Sequence, residues 1–160
     1  MATTNKIKVN RVQVGDPNLT VTLASDDGGT FPRYVQLAAT LTNSNLPNGS
    51  RPVTGQTGPN NAPASVTIQC SFPDSAYAPG QTFGYDITDV SFSDDGSNWA
   101  SFPGTYDHNG QPWNSTVTSQ DFLATDILVT RRTSNQAGST VSLLEKIILF
   151  FRKLFGTKPS

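Results

Sequence analysis

From Lys6 onwards, apolar residues recur mostly at every second position, the period of a strand with one buried face. Ile7 and Val9, then Val12 and Val14 after a change of phase at Arg11, predict a first strand carrying a bulge. Leu19, Val21 and Leu23 alternate with threonines as a second strand, and the turn Gly15-Asp16-Pro17-Asn18 between them predicts a hairpin. Val35, Leu37, Ala39 and Leu41 give a third strand of strict period two, and Val66, Ile68, Cys70 and Phe72 a fourth. Phe83, Tyr85 and Ile87 run on into Val90 and Phe92 with one change of phase, a long or bulged fifth strand. A sixth begins at Trp99 and Phe102, and Ile127 and Val129 mark another over 126–132. Asn109-Gly110, between Tyr106 and Trp113, is a strong type I′ hairpin signal. Residues 43–64 are too polar and too rich in Pro and Gly to be core, and predict a long surface loop, whether plain or used in binding or assembly. Seven or eight short strands with frequent turns predict an antiparallel β-sandwich over 1–133, Ig-like or jelly-roll-like.

The pattern then changes period. Over 142–156 the apolar residues Leu143, Leu144, Ile147, Ile148, Phe150, Phe151, Leu154 and Phe155 fall within one arc of roughly 160° on a helix. Lys146, Arg152 and Lys153 lie opposite, Lys158 follows, and Gly156 and Pro159 supply the stop. This predicts one C-terminal amphipathic helix, joined to the sandwich by the polar linker 134–141 and followed by a short tail, 157–160. Eight large side chains on one face, each contributing about 1.5–3 kcal/mol when buried, require a partner surface. A membrane interface fits the cationic flank. Self-association fits Leu144, Ile147, Phe151 and Leu154 at a and d positions, and docking on the chain's own sandwich is the third solution.

Composition sharpens this division. Of the twelve acids, eleven are Asp, and Glu145 in the predicted helix is the single Glu. Asp favours turns and Glu helix interiors, so the body should contain almost no helix. Residues 1–141 hold seven Lys/Arg against eleven Asp, a net −4, whereas 142–160 hold four against one Glu, a net +3. A mildly acidic body argues against nucleic-acid binding. Cys70 is the lone cysteine, which excludes an internal disulfide and predicts a buried, inert thiol. No apolar run reaches the ~20 residues of a membrane-spanning helix. The N-terminal segment has no apolar signal core, so either the protein is made without a leader or one has been removed.

The stretch Val90-Ser91-Phe92-Ser93-Asp94-Asp95-Gly96-Ser97-Asn98-Trp99 resembles the strand, S-x-D-G-x-x-W, strand hairpin of immunoglobulin-like, fibronectin-like and discoidin-like modules in extracellular bacterial proteins. Residues 146–156 resemble the short helices that end some surface or secreted proteins of Gram-positive bacteria. Together the resemblances imply a secreted or surface-exposed sandwich module.

Candidate chemistry is sparse. One His, one Cys and one Glu leave little for acid–base work, and there is no G-x-S-x-G, phosphate-binding glycine loop or HExxH. The chain is therefore expected to be no enzyme and to need no cofactor. Asp94, Asp95 and Asn98 form an oxygen-rich loop that is a weak Ca²⁺ candidate, although Asp-Asp-Gly is equally good turn chemistry. Trp99, Tyr106, Asp107, His108 and Trp113 are candidate ligand-binding residues, because aromatic faces beside amide and carboxylate groups suit a glycan or protein ligand; the competing reading puts Trp99 in the core and packs Trp113 at an edge. A Lys–Asn cross-link through Lys6 or Lys8 would need a partner Asn that nothing singles out. The reading is a non-catalytic, adhesin-like binding or structural module at the cell surface or outside the cell, attached or assembled through its C-terminal helix. A membrane-active protein whose helix inserts into bilayers is the alternative, and a phage or capsid-type structural protein of a virion a weaker one.

Overall fold

A computed structural model describes residues 2–15, 18–72 and 77–120. The predicted strand over 126–132, the linker, and the amphipathic face and basic flank of 142–158 lie outside the described residues. The described chain is a mainly β, two-sheet sandwich. One sheet holds β1 (Lys6–Gly15), β2 (Asn18–Ser25), β5 (Ser65–Ser71) and β8 (Thr105–Asp107) in the order β5-β2-β1-β8. The other holds β3 (Tyr34–Thr42), β4 (Ser50–Thr57), β6 (Thr82–Ser93), β7 (Ala100–Ser101) and β9 (Asn114–Thr118). Its order is β4-β3-β6-β7, with β9 also on β6.

Alternation carries the fold. Leu19, Val21 and Leu23 on β2, Val35, Leu37 and Leu41 on β3, and Ile68 and Cys70 on β5 are all fully buried, while their odd-phase neighbours face outwards. The changes of phase are bulges. Asn10 falls between Val9↔Leu23 and Arg11↔Thr22, and Thr88 between Ala38↔Asp89 and Ala39↔Ile87. Thr88 turns its hydroxyl back to donate to the Ala38 carbonyl at 3.2 Å. Across that bulge the buried set passes from Phe83, Tyr85 and Ile87 to Val90.

Three expectations are corrected. Residues 43–64 are not a plain loop: a 3₁₀ turn (Pro47–Gly49) leads into β4, which pairs with β3 from Val35 to Thr42. The strand escaped the hydrophobic pattern because it lies at a sheet edge, where Pro52 is tolerated and Val53 is its single buried side chain. Asn109-Gly110 does not close a hairpin either. β8 pairs with β1 in parallel and β9 pairs with β6, so 108–113 cross from one sheet to the other. Gly110 is needed there because a Cβ would overlap the Val9 carbonyl, to which Gln111 N–H donates at 2.7 Å. The parallel β1–β8 pair also makes the sandwich mixed rather than wholly antiparallel.

The facing edges of the two sheets meet at Gly55 on β4. A methyl group there would overlap the Gln69 carbonyl and reach to 2.9 Å from Cys70 Sγ on β5. Gly55→Ala should therefore separate β4 from β5 and lower unfolding stability by about 1–3 kcal/mol, measured by urea denaturation; an unchanged midpoint would contradict the close approach. Cys70 is fully buried, and burial pushes its thiol up to about 11. Its labelling by a thiol reagent at neutral pH should be negligible in the folded protein and complete once it is denatured.

Candidate functional site

The cross-over from β8 to β9 builds a cleft on the surface of the body, because it must bridge two sheets with a short chain. Pro112 and Trp113 carbonyls are bound from β6, accepting from Tyr85 Oη at 2.8 Å and Ile87 N–H at 2.9 Å. Trp113 is 8% exposed, and its Nε1–H donates to the Asp107 carbonyl at 2.8 Å. Outside this anchored segment lies an open cleft of about 340 Å³, lined by Asp86, Ile87 and Thr88 of β6 and by Tyr106, His108, Trp113 and Asn114. The Thr88 bulge sits in its wall, as bulges often do where a strand must re-aim side chains.

Tyr106 is the one large hydrophobic residue among the described core and surface set that stands exposed, at 38%. It is nonetheless held by rings on the inside. Phe31, Phe92, Phe102, Tyr106 and Trp113 form a continuous series with successive centroid separations of 6.0, 5.1, 5.5 and 4.8 Å. Both neighbours of Tyr106 meet it at 82–87°, so neither is stacked in parallel upon it. Such edge contacts contribute about 0.5–1.5 kcal/mol each beyond burial. Burial, and then the charge of nearby Asp89, raises the Tyr106 phenol above its ordinary value.

Of the five residues proposed from sequence, Tyr106, His108 and Trp113 thus share one cleft. Asp107 does not: alternation on β8 turns it inwards, where it is buried. Its Oδ1 accepts from Asn109 N–H at 2.8 Å, and Lys6 Nζ lies 2.5 Å from Oδ2 as an ion pair. Lys6 also reaches Asp26 at 3.3 Å, and Lys8 reaches Asp26 at 2.6 Å, so these charges tie β1, β8 and the end of β2 together. The carboxylates raise the Lys6 amine and keep it protonated, which suits an ion pair and not a cross-link. Trp99 is half-buried and does not line the cleft, so it is neither full core nor part of this cluster. Asp86, Thr88 and Asn114 were missed. For Asp86 and Thr88 the change of phase after Ile87 was the available signal, since it marks where β6 breaks its pattern; Asn114, on polar β9, carried none.

The hairpin resemblance at 90–99 corresponds to a real hairpin, with β6 and β7 paired at Phe92↔Ala100. Its turn is held by Asp95, whose Oδ1 accepts from Ser93 Oγ, Ser97 N–H and Asn98 N–H at 2.8–3.0 Å and whose Oδ2 accepts from Asn98 Nδ2 at 2.6 Å. Gly96, at φ 77°, supplies the left-handed position. These donors occupy the oxygens that a Ca²⁺ ion would use. Among the described residues no group of three or more His, Cys, Asp or Glu could hold a metal ion.

No family model and no curated protein matches the sequence. Among solved structures, the human F-spondin reeler domain (fragment 2) is similar at 14% identity, covering 74% of this chain and 96% of that one, with a TM-score of 0.29. At that degree of superposition the likeness is too slight to transfer fold or function.

The Asp27, Asp95 and Asp107 carboxyls are all held below the ordinary carboxylate range, the first two mainly by backbone N–H donors and Asp107 first by Lys6. A depressed folded pKa stabilises above the unfolded value of about 3.9 and is lost as pH falls through the folded one. The thermal midpoint should therefore fall as pH drops below about 4, and Asp95→Asn should flatten that descent; an equally steep descent in the variant would contradict the assignment.

Proposed function

We propose that the chain is a non-catalytic, surface-type binding or structural module of the adhesin kind, exposed outside the cell and attached or assembled through its C-terminal amphipathic segment. The observation that carries this reading is the character of the cleft. It combines an exposed ring with carboxylate, imidazole and amide groups on a cross-braced frame, an assortment suited to binding. Among the described residues His108, the chain's one histidine, makes no hydrogen bond or ion pair, whereas a general base needs a positioned partner. Asp107, its neighbour in sequence, is committed to Lys6 on the other side of β8.

The strand order supports an immunoglobulin-like rather than a jelly-roll sandwich. β1-β2-β5 beside β4-β3-β6 follows the A-B-E and C′-C-F arrangement of such modules, with β7 and β9 sharing the place of the last strand. The described core closes between Ile7 and Trp113, so a chain ending at 141 retains every residue of it. The net +3 of residues 142–160 favours a second reading, in which the helix perturbs bilayers instead of anchoring to them.

Comparison of the full chain with a 1–141 truncation tests the proposal, using light-scattering mass and co-sedimentation with anionic vesicles. The full chain should either exceed monomer mass or sediment with vesicles, and the truncation should be a folded monomer that does neither. A full chain that stays monomeric in the supernatant would sink the attachment role. Release of dye from the vesicles would support the lytic reading in its place.

A further inference from the structure

We propose that the Tyr106 cleft takes a neutral saccharide, with a sugar ring against the exposed aromatic surface and its hydroxyls met by Asp86, His108 and Asn114. The inference rests on the reading of the chain as a non-catalytic binding module and names the ligand class of that module's cleft. The first argument is the mixture of surfaces. A pyranose ring carries a patch of C–H groups on its face and hydroxyls around its rim, so it needs one apolar platform encircled by donors and acceptors. Tyr106 supplies the platform and is pre-positioned by Phe102 and Trp113. The side chains of Asp86, His108 and Asn114 are exposed beside it, and among the described residues they make no hydrogen bond of their own. Between them they offer two carboxylate oxygens, an imidazole that both donates and accepts, and an amide that does the same.

Charge and shape exclude the nearest competitors. No Lys or Arg lines the cleft, and Asp86 is its one carboxylate, so phosphate, sulfate and acidic sugars meet repulsion. A quaternary ammonium ion is held by several aromatic faces at once. Here Trp113 is 8% exposed, which leaves one accessible ring where a cage needs more. The volume of about 340 Å³ lies at the small end of ligand sites, roughly 300–1,000 Å³. An openness to solvent on one side suits the end or edge of an oligosaccharide better than a wholly enclosed ligand.

The test uses the full chain, a panel of neutral oligosaccharides, and tetramethylammonium as the competing probe, read by the NMR signals of the Trp113 indole N–H and the Asn114 side-chain amide. At least one neutral oligosaccharide should shift both signals saturably. Tyr106→Ala should weaken that binding by about tenfold or more. Because Tyr106 also packs on Phe102, Asp86→Ala provides the second variant: it should keep the wild-type thermal midpoint and weaken binding by about tenfold. Binding unaffected by either variant would overturn the proposal, as would the absence of any shift up to about 10 mM sugar. A response to tetramethylammonium alone would overturn the ligand class and leave the binding-module reading standing. Cleavage of a bound oligosaccharide would uphold the ligand class and overturn the non-catalytic reading.

Discussion

The structure depends on one constraint: the edge of the sandwich beside β1 and β6 has to be closed by a chain that belongs to both sheets. Residues 105–118 meet it by pairing first with β1 and then with β6, so their backbone N–H and C=O groups are satisfied from two directions. The bulge at Asn10 leaves the Val9 carbonyl accepting from Gln111, and the absence of a Cβ at Gly110 allows that approach. The Lys6–Asp107 ion pair holds the start of the same segment from the side. Remove this bracing and the cleft loses four of its seven lining residues, because Tyr106, His108, Trp113 and Asn114 all lie on it.

Core-facing and cleft-facing positions therefore alternate along a single short stretch. On β8, Tyr106 faces out and Asp107 faces in; after the cross-over, Trp113 packs against β6 and Asn114 faces out. The aromatic series from Phe31 outwards couples the exposed ring to the deepest part of the core, so the platform is rigid without a surface support of its own. On the opposite edge, β4 and β5 are brought together by Gly55 and buried Cys70. The two closures are of different kinds, one by a missing side chain and the other by a shared segment.

How much of this was legible depended on burial. β1, β2, β3, β5 and β6 bury one face completely, and their strict alternation, including both changes of phase, could be read from the residues alone. β4 and β9 bury little more than Val53 and Val117, so polar runs such as Asn114–Thr118 carry no period for a pattern to reveal. Asn109-Gly110 misled because such a pair can answer either of two physical needs, a left-handed turn or a close backbone approach, and here Gly110 answers the second. The cleft was half legible for the same reason. Its aromatic and imidazole members stand close together in sequence, whereas Asp86 and Thr88 arrive from β6, about 20 residues earlier.

Native-state hydrogen exchange at three amides tests most directly whether the cross-over is the brace that builds the cleft. Gln111 donates to Val9, Ile87 to Trp113 and Thr105 to Asn5. If the segment closes the sandwich, these amides exchange only with global unfolding, as slowly as the amides of β2 and β3. Exchange of Gln111 and Ile87 at loop-like rates, with β2 and β3 still protected, would show that the segment opens independently and that no fixed cleft exists.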